Sequence, residues 1–196
     1  MAATMSKNGG MSIIHRYNEP KEQAAIVKKA VDSGTDIVGA AIGVTSGYME
    51  RAELLIEAGA SVICIDVAHG HHALTEKAIK SIKAKYPYVH LMAGNVATKE
   101  GFEALVEWGA DSIRCNIGGG SICTTRVQTG HGVPGLQTIF ECASAANAKG
   151  VKIIADGGIR NAGDIVKALA AGAHFVMVGS LLSGTDQAPG KLLKTP

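Results

Sequence analysis

Asp111-Ser112-Ile113-Arg114-Cys115-Asn116-Ile117, running into Gly118-Gly119-Gly120-Ser121-Ile122-Cys123-Thr124-Thr125, is the stretch on which the reading of this chain turns. Its first half is a mainly apolar run that reads as a buried strand. Its second half opens with three consecutive glycines. Glycine accepts positive φ and lets backbone approach a ligand closely, so the loop can curl its amides and carbonyls around an ion or phosphate. Cys123 follows that curl. Structural cysteines usually sit inside regular apolar segments; one in a Gly/Ser/Thr loop has surroundings that can hold a thiolate. A catalytic nucleophile and an ordinary loop cysteine are both open on these residues alone.

Working outward, the same strand–helix unit recurs on both sides. Upstream, the helix Lys99 to Trp108 ends at Gly109 and follows the strand His90 to Val96. Before these come the strand Ser61 to Ala68 with the helix Leu74 to Lys85, and the strand Asp36 to Gly43 with a helix around Met49 to Ala58. The first elements are a helix tail, Met1 to Asn8, stopped by Gly9-Gly10, a short strand Met11 to His15, and a helix opened by Pro20. Downstream of a long loop lie the helix Leu136 to Lys149, the strand Val151 to Ala155, a helix Asp164 to Ala171 and the strand His174 to Val178. That makes about seven βα units, and strands such as Asp36 to Gly43 are apolar on both faces, as in parallel sheets covered on both sides.

A (β/α)8 TIM barrel is the expected α/β fold, with a doubly wound sheet as runner-up. Strand ends at His15, Asp66, Asn95, Asp156 and Ser180 would form a ring at one mouth. The last two strands run into Gly157-Gly158 and Gly179-Ser180, where such barrels hold phosphate. No GxGxxG fingerprint opens the first unit. The barrel is expected to be incomplete at both ends, since the chain opens on a helix tail and stops at Lys194-Thr195-Pro196 without a closing helix. Residues 1–196 then read as a single catalytic barrel domain holding about seven of the eight βα units.

Length and composition agree. At 196 residues with 46% hydrophobic and 18% charged residues, the chain can bury a large core. A net charge of +2 without a basic cluster argues against nucleic acid or an anionic membrane as partner. No run reaches membrane-spanning length and no secretory pattern opens the chain. The four cysteines show no metal-binding spacing, and a reducing, cytoplasmic setting is expected. Cys64, Cys115 and Cys142 read as core.

Taken together, GGGSICTT at Gly118–Thr125, ADGGI at Ala155–Ile159, GSLL at Gly179–Leu182 and AGNV at Ala93–Val96 resemble the IMP dehydrogenase/GMP reductase family. The likeness runs from Gly9-Gly10 through Pro189-Gly190. It implies that Cys123 attacks C2 of a purine nucleoside monophosphate, with Thr125 beside that carbon. It implies that Ser121, Gly179 and Ser180 bind the phosphate, that Asp156 takes the ribose hydroxyls, that Gly157 and Gly158 are substrate-binding with Gly158 letting the backbone approach, and that Asn95 and Arg114 face the ligand. The cofactor side would be Asp66, Asn116, Ile117 and Gly118. The carbonyls of Gly118, Gly120 and Cys123 match a potassium site. The family's water-activating flap, with its Arg-Tyr motif, would lie beyond Pro196.

Within that family the dehydrogenase reading leads: NAD-dependent oxidation of IMP to XMP through a Cys thioimidate, in a homotetramer. Gly184-Thr185, Ser121–Val127 and Gly39–Gly43 resemble dehydrogenases, and Thr185 and Gln187 stand where reductases often carry His and Glu. No regulatory CBS insertion fits between His15 and Asp36, and Thr129-Gly130 leans towards reductases, so NADPH-dependent GMP reductase is the alternative. Asn116 replaces a glycine usual in both and would crowd the nicotinamide pocket. A nucleotide-binding module without turnover is the third reading. His69, His71 and His72 read as loop histidines rather than a metal cluster, and His131 as a loop residue. Asp156 could instead cap a turn, and Asp66 could hold a neighbouring loop.

Overall fold

The structure, a computed structural model, describes residues 1–190; the closing Lys194-Thr195-Pro196 falls outside them. Seven strands form one sheet: β1 (Ser12–Ile14), β2 (Val38–Ile42), β3 (Val62–Asp66), β4 (His90–Val96), β5 (Ser112–Cys115), β6 (Lys152–Asp156) and β7 (Phe175–Met177). The helices are α1 (Ala2–Lys7), α2 (Pro20–Asp32), α3 (Tyr48–Glu57), α4 (Ala73–Lys85), α5 (Lys99–Trp108), α6 (Thr125–Thr129), α7 (Gly135–Lys149) and α8 (Ala162–Ala170). Every strand pairs in parallel with the next in sequence, in the order β1 to β7. A doubly wound sheet reverses its strand order partway. This one never does, and is wound in one sense as in a partial βα barrel.

Side-chain alternation gives the sheet two buried faces. Val38, Ala40, Ile42, Ile63, Ile65, Leu91, Ile113 and Ile153 pack with the helices in the larger core. Ala41, Val62, Cys64, Met92 and Ile154 form a smaller cluster on the opposite face, joined by Met11, Ile13 and Met177. Counting in twos along the strands continues that second face to Arg114 and to the tips Asp66 and Asp156. The charged residues therefore stack above the inner apolar layer, all at the carboxyl ends of the strands.

The helices start and stop where local chemistry allows. Pro20 occupies the first turn of α2. Thr98 caps α5, accepting a hydrogen bond from Gly101 N at 3.2 Å, and Gly109 closes it in the left-handed conformation. Helix α6 lies inside the segment read as a long loop, and Ser180–Leu182 forms a 3₁₀ turn after β7. α1 ends at Lys7, ahead of Gly9, which is left-handed at φ +77°.

Candidate functional site

The tips of β3 to β6 carry one connected polar network. Arg114, only 6% exposed, is its hub. Its Nη2 donates to Asp66 Oδ1 at 2.5 Å, its Nε to Asn95 Oδ1 at 3.1 Å, and its Nη1 approaches Cys64 Sγ at 3.3 Å. Asn95 Nδ2 donates to Asp156 Oδ2 at 2.8 Å, and Arg114 Nε lies 3.5 Å from that same oxygen. Arg16 Nε extends the chain, 3.7 Å from Asp66 Oδ2. The sheet register shifts between Gly94 and Val96, which leaves Asn95 free to turn its amide across the strand tips.

Burial works against charge on Arg114, but its partners, among them the Asp156 and Asp66 carboxylates and the hydrogen bond to Asp66, outweigh it and hold the guanidinium above the ordinary arginine range. Burial also pushes the Cys64 thiol up to about 11, so it is a neutral packing residue. Cys115 is held well above the ordinary thiol range by its contact with Cys142 and by burial. These three cysteines are core, as the apolar pattern implies.

Cys123 is different in every respect. It is exposed, with Sγ 3.3 Å from Thr125 Oγ1. The Thr125 hydroxyl and backbone amide, with smaller help from Gly118 and Arg126, lower its pKa below that of an ordinary thiol. Its backbone N–H donates to Gly120 O at 3.1 Å, closing the glycine loop into a turn.

That loop rests on the tip of β6. A side chain at Gly157, where φ is +84°, would place its Cβ 2.8 Å from Gly120 N and 3.0 Å from Gly119 C. Both are backbone atoms that cannot step aside. Gly157→Ala is therefore expected to cost about 1–3 kcal/mol in strain and to push the glycine loop off the strand tip. Urea unfolding and nucleotide titration read the two effects. Unchanged midpoint and affinity would mean that the loop does not depend on this contact.

Ser121, Gly118, Asn116, Asp156, Gly157, Gly158 and Ser180 share one cavity of about 560 Å³. Arg126, Arg160 and Lys167 also line it, cations that sequence reasoning missed; their only signal was their place just after glycine turns or on α8. The cavity lining does not include Asp66, Asn95, Arg114, Ile117, Gly120, Cys123, Thr125 or Gly179. Asn95 and Arg114 are tied to its wall through Asp156.

Asp66 is engaged by two arginines yet remains about one-third exposed, so lone pairs remain for a cofactor hydroxyl. For a potassium ion the donors would be carbonyls. Among the described residues no hydrogen bond reaches the carbonyl of Gly118 or Cys123, while Gly120 O accepts from Cys123 N. Two unclaimed carbonyls on a glycine turn suit a hard cation. The histidines have other occupations: His72 Nδ1 caps α4 by accepting from Leu74 N at 3.1 Å, and His71 packs on Trp108. His131 is exposed and bonds within its own turn.

A parallel sheet wound in one sense, with glycine turns, an exposed thiol and a charged network at its carboxyl edge, is the arrangement of a partial βα barrel with a candidate ligand site at the strand tips. The profile of the IMP dehydrogenase / GMP reductase domain matches residues 1–195, and the chain belongs to that family. It is 49% identical over 160 residues to inosine-5'-monophosphate dehydrogenase of Nitrosopumilus maritimus, covering 82% of this chain and 34% of that protein. The enzyme of the same name from Aquifex aeolicus is 54% identical over 156 residues, 80% of this chain and 32% of the relative. That of Bacillus subtilis is 53% identical over 158 residues, with coverage of 81% and 32%. The chain thus spans about a third of the length of the relatives it matches.

Proposed function

We propose that this chain acts as the catalytic part of a purine-nucleotide oxidoreductase that oxidises IMP to XMP with NAD. The observation that carries the reading is Cys123: an exposed thiol with a lowered pKa, on a loop packed against the Asp156-Gly157 tip.

The Cys123 thiolate adds to C2 of the purine, and the ring electrons move to N3. Thr125 stabilises the thiolate before attack. Bound NAD supplies the acceptor for the hydride that leaves C2. The carbon–sulfur bond then persists as a thioimidate until water displaces the sulfur, releasing XMP and restoring the thiolate. IMP, NAD and water become XMP, NADH and a proton. Ser121, Gly157, Gly158, Gly179 and Ser180 hold the phosphate, where backbone N–H groups suit a dianion. Asp156 accepts from the ribose, and Asn95 and Arg114 fix its orientation. Asp66, Asn116, Ile117 and Gly118 flank the nicotinamide side. Potassium on the carbonyls of Gly118, Gly120 and Cys123 would preserve the curl of the loop.

The same reading takes residues 1–196 as one catalytic domain without a CBS insertion. An eighth strand closes the sheet into a (β/α)8 barrel, and four copies associate as a homotetramer. Four free thiols suit the reducing cytoplasm. Among the described residues no helix is long and apolar enough to cross a membrane.

Mixing the protein with IMP and NAD and following nicotinamide absorbance tests the reading, with intact mass recording any adduct on Cys123. Reduced cofactor, or a stoichiometric burst with an adduct, is expected. Consumption of NADPH with GMP instead would move the chain to the reductase side of the family. No redox signal with either pair would leave a binding module.

A further inference from the structure

The segment 121–133 carries Cys123, yet no buried side chain anchors it. Ile122 is 94% exposed and Val127 84%, and helix α6 buries nothing. Among the described residues, the hydrogen bonds it makes stay within residues 120–133, so none ties it to the sheet or to another helix. A stretch with so few outside contacts belongs to the least stable parts of a fold. A reacting thiol, by contrast, needs one position.

Arg126 crosses this segment and touches backbone on both sides of Cys123. Its stem fills the space that two glycines leave open. A Cβ on Gly118 would lie 2.6 Å from its Nε and 2.7 Å from its Cγ; one on Gly132 would lie 2.5 and 2.8 Å from the same atoms. Nη2 then donates to Val133 O at 2.9 Å. Gly118 has φ +86° and suits glycine for its backbone alone, whereas Gly132 takes no left-handed φ. The missing side chain at 132 is therefore accounted for by the Arg126 stem. We propose that Arg126 is a positioning residue: its side chain clasps the glycine turn at Gly118 to the return segment at Gly132-Val133 and so fixes the loop that carries Cys123. The consequence for chemistry at Cys123 rests on the oxidoreductase reading above; the clasp itself does not.

Two variants of the 196-residue chain separate the parts of the clasp. Arg126→Met keeps an unbranched stem and loses the donor. Gly132→Ala keeps the cation and displaces the stem. Backbone ¹⁵N order parameters, measured without ligand, read the loop directly. At Gly118–Gly120 and at Gly132-Val133 they are expected to fall from about 0.85 in the unaltered chain to below about 0.6 in both variants, with the strands unchanged. In both, the rate of adduct formation on Cys123 with IMP and NAD should drop about tenfold or more, while calorimetric IMP affinity stays within about threefold. A lesion of the whole fold would instead loosen the strands and weaken IMP binding as well. Unchanged order at Gly118–Gly120, loosening confined to Gly132-Val133, loss of order throughout the chain, or an adduct rate untouched in Arg126→Met overturns the assignment. An unaltered chain that forms no adduct would bring down the oxidoreductase reading, and the order parameters would still decide the clasp.

Discussion

Replacing Cys123 by Ala is expected to reduce cofactor turnover with IMP and NAD by about 10³-fold or more, with IMP affinity held within about threefold. The phosphate and ribose contacts belong to other residues, so binding and chemistry separate cleanly. The thiol also has a pH signature. Its pKa is lowered, mainly by the Thr125 hydroxyl and backbone amide. The reactive thiolate is therefore present above that lowered pKa and is lost as pH falls through it. Alkylation by iodoacetamide should run with a midpoint below the ~8.5 of an unperturbed cysteine. Thr125→Val removes the largest contribution and should move the midpoint upward. Selectivity follows from burial: Cys64, Cys115 and Cys142 are buried, so one adduct should form, on Cys123. A midpoint at or above that of free cysteine, or label spread over all four thiols, would remove the nucleophile from the proposal.

Much of this architecture can be read without coordinates because its cause is periodic. The helix Lys99–Trp108 and the strand His90–Val96 have the expected bounds, since Thr98 and Gly109 mark the helix ends and the strand is apolar on both faces. β6 keeps its expected length, shifted by one residue, and the remaining strands are shorter than expected. β5 ends at Cys115 rather than Ile117, because Asn116 turns to positive φ and leaves the ladder. Helix α6 escaped notice because Thr125-Arg126-Val127-Gln128-Thr129 has no apolar stripe and buries nothing. The strand-tip residues are legible as types. Their wiring is not: Arg114 meets Asp66 across 48 positions and Asn95 meets Asp156 across 61. Only the pairing register aligns them. Arg16, on the loop after β1, carried no motif and joins the network solely through that register.

Arg114 should be the most sensitive position for stability. It is buried on the inner face and serves three acceptors through different nitrogens, a fork that lysine cannot reproduce. Arg114→Met keeps the bulk but leaves Asp66 and Asp156 facing one another's field without the cation between them. Breaking a buried ion pair on one side costs about 3–5 kcal/mol, a large share of the ~5–15 kcal/mol that holds a domain together. Asp66→Asn should cost less, since Asp156 at 3.5 Å and Asn95 at 3.1 Å still face the Arg114 guanidinium and the new amide oxygen can still accept from it. Adding it to Arg114→Met removes the stranded charge, so the double variant should recover about 1–2 kcal/mol relative to the sum of the singles. Chemical denaturation of the four proteins measures the coupling. Strict additivity would mean that Arg114 supports the strand tips by packing alone. It would also remove the reason for Asp156 to point as it does, because the same guanidinium orients Asn95, and Asn95 holds the carboxylate that the ribose is proposed to meet.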